Sequence, residues 1–325
     1  MSRGLGDVYK RQSYNNAPAG SYDTEFLWEK DDDGNLYVSD YQMRQYFVTR
    51  ERQSYSLSLD YKFDDFNKIW FKGIFNNRND WENRYRTTLK DVTPKGVADV
   101  RVQTKGGSGD ERDARLERQR TMDFTLGGEN RLGAVDLDWK IGYARASEDR
   151  PNERYIDYRL RKQHFSFDLS DPRTPFATPE EGYTMLLNDD FSLKDLTQQQ
   201  ENIVERDFKI ALDFKTRLSE RSKLKFGFKF VNKTKHKDID FYEYAPVDED
   251  RFNADAFAAA VNQTTDRFMP SSRYKVGSFV SKEFLGSLNL DDATLFEKTQ
   301  VPEELAGNYS AVSYTHLTLP TKLEV

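Results

Sequence analysis

The stretch Ser54-Tyr55-Ser56-Leu57-Ser58-Leu59-Asp60-Tyr61-Lys62-Phe63 alternates without exception between a polar and an apolar or aromatic residue. Successive side chains of a strand point to opposite faces, so the pattern specifies a strand with one wet and one apolar face. Its length suits a strand that crosses a bilayer on a tilt, which takes about 9–11 residues. Asp64-Asp65-Phe66-Asn67 then reads as a short turn, and Lys68 to Arg78 returns with Ile69, Phe71 and Phe75 on one face. Trp70 and Ile74 fall on the other face and weaken the second pattern.

The plan repeats twice. Met122, Phe124 and Leu126 alternate with Thr121, Asp123, Thr125 and Gly127, Asn130 to Gly133 turns the chain, and Val135, Leu137, Trp139, Ile141 and Tyr143 continue the alternation. Phe208, Ile210, Leu212, Phe214 and Leu218 then precede a turn at Ser219 to Ser222, followed by Leu224, Phe226, Phe228 and Phe230. The expectation is all-β: six antiparallel strands in three hairpins. The turns are about four residues, and the links between hairpins, near Trp81–Gln119 and Arg145–Arg206, are expected to be long polar loops. Within them, residues 105–110 read as a flexible tip, Pro151, Pro172, Pro175 and Pro179 argue against sheet interior, and Ser192 is placed as the N-cap of a short helix. A second short helix is expected near Asn253–Val261.

Short turns alternating with long loops are the habit of transmembrane barrels, short on the periplasmic side and long outside. A lysine turned to lipid at the midplane costs about 2–4 kcal/mol, so Lys215, Lys225 and Lys229 are expected to face a lumen and Phe214, Phe226 and Phe228 to face lipid. In a soluble sandwich the same aromatics would pack against a second sheet, and alternation alone does not separate the two.

Composition agrees with a two-faced strand protein. Of 325 residues, 32% are charged and only 37% hydrophobic, yet there are 18 Tyr and 23 Phe. Mean hydropathy is −0.86. Disordered chains are charged but poor in aromatics. No apolar run is long enough for a transmembrane helix. With no cysteine, disulfides and thiolate metal sites are excluded. A net charge of −6 with interspersed bases argues against a nucleic-acid partner.

The two ends break the pattern. Residues 1–12, MSRGLGDVYKRQ, and 312–325, VSYTHLTLPTKLEV, resemble translated sequencing-adapter sequence. They are set apart from residues 13–311, which leaves the expectation of a fragment without its signal peptide.

Three passages carry a family resemblance: Trp81-Glu82-Asn83-Arg84-Tyr85-Arg86, Ala146-Ser147-Glu148-Asp149-Arg150-Pro151-Asn152-Glu153 and Asp240-Phe241-Tyr242-Glu243-Tyr244. With Val301-Pro302-Glu303-Glu304-Leu305-Ala306-Gly307-Asn308-Tyr309 they make residues 46–310 resemble the barrel portion of TonB-dependent outer-membrane receptors. The resemblance implies a 22-stranded plugged barrel that imports a scarce ligand, such as an iron chelate, cobalamin or a glycan. It implies residence in the bacterial outer membrane and coupling to the TonB complex through a plug. No plug, TonB-contacting segment or closing aromatic strand is found in this sequence, and six strands do not close a barrel of that size. The other readings are a soluble β-sheet glycan-binding or adhesion module and an outer-membrane barrel enzyme.

No catalytic, cofactor or metal residue is assigned. Glu180-Glu181 and Asp189-Asp190 are adjacent pairs whose members would point apart on a strand, and read as loop charge. Asp31-Asp32-Asp33-Gly34-Asn35 lacks the spacing and the terminal Glu of an EF-hand loop. His164, His236 and His316 are isolated. Trp81, Tyr85, Tyr155, Tyr158, Tyr242 and Tyr244 are candidates for stacking on a ligand, with girdle or loop packing as the plainer role.

Overall fold

The computed structural model describes residues 5–220, 222–264, 273–300, 314–318 and 321–324. The long strands are β1 (Leu5–Lys30), β2 (Leu36–Lys62), β3 (Lys68–Lys90), β4 (Val97–Gly106), β5 (Arg115–Leu132), β6 (Val135–Asp168), β8 (Ser192–Arg217) and β9 (Lys223–Pro246), with the short β7 (Phe176–Pro179) between β6 and β8. Then follow α1 (Glu249–Ala258), β10 (Ala260–Asn262), β11 (Ser278–Val280), α2 (Lys282–Ser287), β12 (Phe296–Gln300), β13 (Tyr314–Thr318) and β14 (Thr321–Glu324). The architecture is all-β and barrel-like, with every paired strand antiparallel to its neighbour. The order runs β1-β2-β3-β4-β6-β8-β9-β12, and among the described residues no ladder joins β1 to β9.

The three expected hairpins are present. Tyr55 pairs Phe75 and Leu59 pairs Phe71 across the first. Phe124 pairs Tyr143 and Leu126 pairs Ile141 across the second. Phe214 pairs Phe226 across the third, their rings stacked with centroids 5.0 Å apart. Gly133, with φ of +64°, makes the two-residue turn of the second hairpin, where a side chain would be strained.

The links between hairpins are not the loops expected from their polarity. The first is mostly sheet. β3 runs on to Lys90, a six-residue loop at 91–96 reverses the chain, and β4 descends beside it. β4 and β5 lie end to end between β3 and β6: β3 pairs β4 through Arg84–Lys90 and β5 through Lys68–Glu82. They are two halves of one descending strand. The expected flexible tip is the break between them, held by Asn83, whose side-chain amide donates to the Lys105 carbonyl at 3.4 Å and the Asp113 carbonyl at 2.7 Å.

The second link is also largely strand. β6 spans 34 residues, about 110 Å at ~3.3 Å each. Pro151 sits inside it, at the one place that tolerates a missing donor. There β6 changes partner from β5 to β4, and its register with β8 shifts between Arg150 and Glu153. Ser192 opens β8 instead of capping a helix. The remaining long connections are residues 169–191, which include β7, and the segment after β9. The later helix is α1, begun slightly earlier than expected, with the Asp248 carboxylate accepting from the Arg251 amide.

Residues 5–12 continue β1 in register with Tyr55–Lys62, and β13 and β14 pair with β9 at the backbone level. The Val301–Tyr309 passage lies outside the described residues.

Two faces follow from the register. One carries Tyr55, Leu57, Leu59 and Tyr61 of β2 and continues through Phe71, Leu126, Ile141, Ile210 and Phe230 in a single cross-strand row. Near the short turns this apolar face is bare: Tyr55, Leu59, Phe124, Leu126, Ile141, Phe208 and Phe226 are 37–48% exposed. Further up the same strands it is covered. Residues 274–296 lie over Tyr41, Met43, Tyr85, Leu89, Val100, Ile156 and Tyr158, and form the only sizeable buried cluster among the described residues. Thr87 donates to the Val276 carbonyl at 2.5 Å, Thr104 to the Val280 carbonyl at 2.6 Å, and Arg154 to three carbonyls of the Leu285–Leu288 turn. Tyr274 reaches Phe26 of β1 and Tyr41 of β2, and Phe296 meets Phe252 beside β9. The cover thus spans the sheet.

Candidate functional site: the charged face

The opposite face is mostly polar, with Trp70 and Ile74 as exceptions. Near the turns it carries Lys215, Lys225 and Lys229, with Phe214, Phe226 and Phe228 on the other face. Lys72 stands 5.2 Å from the Trp70 ring centroid. Gly127 lies beneath that indole, where a Cβ would come within 2.4 Å of it, so the strand needs glycine there.

Higher on this face, beyond the bare band, charges of both signs interlock. Arg50 grips Asp80 with two hydrogen bonds of 2.7 and 2.6 Å. Arg78 reaches Glu117 at 2.7 Å, and Arg150 reaches Glu148 at 2.5 Å and Glu201 at 2.9 Å. Lys105 lies between Glu82 at 2.8 Å and Glu153 at 3.0 Å, while Arg115 meets Glu82, Glu117 and Glu153. The Lys105 and Arg115 cations beside it outweigh burial and hold the Glu153 carboxyl below its usual range. Every cation named here has a carboxylate partner, and all pairs but Arg115–Glu117 and Arg150–Glu148 join different strands, so they fasten the wall together.

The next tier is not balanced. Arg44, Arg86, Gln103 and Asp157 form one cross-strand row, and Tyr46, Arg84, Lys105 and Tyr155 the row below it. Arg101 and Arg159 pair just above. Arg44 is engaged by Asp23 and Glu25 of β1, and Arg101 by Asp157 at 2.5 Å and Asp195 at 3.4 Å. Arg84, Arg86 and Arg159 have no ion pair among the described residues, and the Nε of each is buried without a hydrogen-bond partner. Burial, and then the Arg84 cation, push Arg86 down to about 10, so it stays charged at neutral pH. Arg84 lies 5.9 Å from the Tyr46 ring and 5.8 Å from the Tyr155 ring. Burial, seconded by Glu153, raises the Tyr155 phenol. The planar Arg84 guanidinium, one Nη of which donates to the Gln103 side chain at 2.5 Å, lies between two phenol rings and with Arg86 and Arg159 suits a ligand that offers carboxylate, phosphate or aromatic oxygen.

Of the six aromatics singled out in the sequence, only Tyr155 reaches this site. Trp81 lies on the other face under Arg112, at 3.8 Å. Tyr85 is buried beneath the cover, against Phe279, and Tyr158 beneath α1, against Phe257. Tyr242 and Tyr244 pack with Lys298. Tyr46, Arg84 and Arg86 were not marked as candidates. A register, which the sequence does not print, is what brings Tyr46 beside Arg84.

The other motifs have local roles. The Asp31 carboxylate accepts from the Asn35 side chain at 3.1 Å, the Asn35 amide at 2.7 Å and the Asp33 amide at 3.1 Å, and these bonds, the Asn35 side chain first, hold it below the usual range. It shapes the β1–β2 turn. His164 stacks on Tyr183, and His236 meets Asp238 at 2.8 Å. The side chain of His316 lies outside the described ones. Glu180, Glu181, Asp189 and Asp190 are exposed in the loop after β6. Among the described residues no helix is long and apolar enough to cross a membrane, which leaves strands untouched. No protein-family model, curated protein or solved structure matches the chain.

Proposed function

We propose that this chain is an arc of the wall of a TonB-dependent outer-membrane receptor, with its bare apolar band against lipid and its charged face on a lumen that captures a scarce ligand. One observation carries the reading. The chain covers its apolar face where the strands stand tall and leaves it bare for one band next to the short turns. That band runs from Tyr55 to Phe63, eight residue steps, about 26 Å along the strand and about 20 Å at a tilt of ~40°, close to the ~25 Å apolar belt of such barrels. Water-soluble monomers seldom leave so large an apolar surface uncovered.

Residues 5–12 fit the wall poorly. Their register puts Lys10 and Gln12 in the rows of Leu57 and Tyr55, on the lipid side. The same register puts Val8 in the row of Leu59, and Asp7 and Arg11 on the charged face.

Among iron chelates, cobalamin and glycans, the uncompensated guanidinium groups of Arg84, Arg86 and Arg159 favour an anionic iron chelate. The test of the membrane reading is refolding of the purified chain into phosphatidylcholine vesicles. The expected result is flotation with the vesicles, resistance to alkaline carbonate and different gel mobility with and without boiling. A monodisperse chain that stays in the aqueous phase would overturn it in favour of the soluble module.

A further inference from the structure

At the upper margin of the bare band, Tyr55, Phe75, Met122, Arg145 and Arg206 form one cross-strand row on the apolar face. Arg145 and Arg206 are direct neighbours across the β6–β8 ladder. Like charges directly opposite each other in a sheet repel. Neither has an ion pair or a side-chain hydrogen bond to any described residue. The nearest carboxylates along the strands, Glu205 and Asp207, point to the other face by strand alternation, and there they pair with Lys233 and Lys209. A third cation, Arg120, sits one step higher and donates only to Asn77, at 3.2 Å. Directly below the pair, Tyr143 and Phe208 face each other, both 40% exposed.

Two repelling guanidinium groups on top of an apolar band need an anion from outside the chain. We infer that Arg145 and Arg206 together clamp the anionic phosphate of a membrane lipid headgroup against the outside of the wall. The inference rests on the lipid-facing reading of the band. The aromatic pair beneath selects a lipid over free phosphate, because it offers the acyl chain a surface at the right depth. Guanidinium suits the task, presenting paired N–H donors to phosphate oxygens.

The test places the refolded chain in phosphatidylcholine vesicles holding a minor fraction of spin-labelled phosphatidic acid, with spin-labelled phosphatidylcholine as the reference. The immobilised fraction of each label gives their relative affinity for the wall. The expected preference for phosphatidic acid is about thirtyfold at low salt, the scale of two basic residues at an anionic lipid surface, and it shrinks as salt is added. Arg145→Gln with Arg206→Gln abolishes the preference while the immobilised phosphatidylcholine remains, and the double Lys variant retains part of it. A preference that survives the double Gln variant overturns the assignment and leaves the membrane wall standing. Its loss on adding inorganic phosphate, at constant ionic strength, assigns the pair to free phosphate and overturns the lipid source. No immobilised lipid of either kind overturns both readings.

Discussion

An arginine at position 126 separates a lipid-facing wall from a solvated sheet. Leu126 lies in the middle row of the bare band, flanked by Phe71 and Ile141, and is 42% exposed. Arginine on the lipid side at midplane costs about 2–4 kcal/mol, a factor of about 30–900 in the folding equilibrium. In a water-soluble sheet the same site would tolerate it within about 0.5 kcal/mol beyond the lost contacts. Thr125→Arg supplies the reference. It stands at the same depth on the charged face, next to Asp123, to which the Thr125 hydroxyl donates at 3.1 Å. Urea unfolding of both variants in vesicles, followed by tryptophan emission, gives the difference. The expected result is Leu126→Arg less stable than Thr125→Arg by at least about 2 kcal/mol. Equal stabilities within about 0.5 kcal/mol would refute the membrane-facing assignment of the whole band.

Phe279→Ala removes a fully buried ring from the cover; it is expected to cost about 3–5 kcal/mol and to open Lys282–Ser287 to proteolysis, read by limited digestion. Glu153→Gln removes one anion from Lys105 and Arg115, which keep Glu82 and Glu117, and is expected to destabilise by about 1–3 kcal/mol, measured by denaturant unfolding. Because the Glu153 carboxyl is held below its ordinary 4.5, the stability it adds is complete above that pH and is lost as pH falls through its folded value; acid titration of the Gln variant is expected to be flatter below pH 4.5. Gly127→Ala drives a methyl into the Trp70 indole and is expected to cost about 1–3 kcal/mol, with a shift in tryptophan emission.

The hairpins were legible because most apolar positions in them are filled by large residues, with Gly73, Gly128 and Thr216 as the exceptions. The upper wall was not, for a reason that β3 makes plain. There the apolar face reads Trp81, Asn83, Tyr85, Thr87, Leu89, and the two polar members look like a break in the pattern. They are not exposed: Asn83 holds the broken strand together, and Thr87 ties down the cover. Ala98, Val100 and Val102 do alternate with Asp99, Arg101 and Gln103, so β4 was open to reading, although its residues are small. The charged face was visible as charge but not as a site. Which arginines are balanced depends on partners from other strands, and Arg84 looks no different from Arg78 until Glu117 is seen beside the latter.

The cover also sets an order of events during folding. Each of the three hairpins closes through a turn of a few residues, so the lower strands meet through local contacts. The contacts that shield the upper wall join residues 131, 176 and 189 positions apart in the chain. Until residues 274–296 dock, the upper apolar face is open to other chains as the lower band is. The chain therefore carries its greatest aggregation risk before that segment docks.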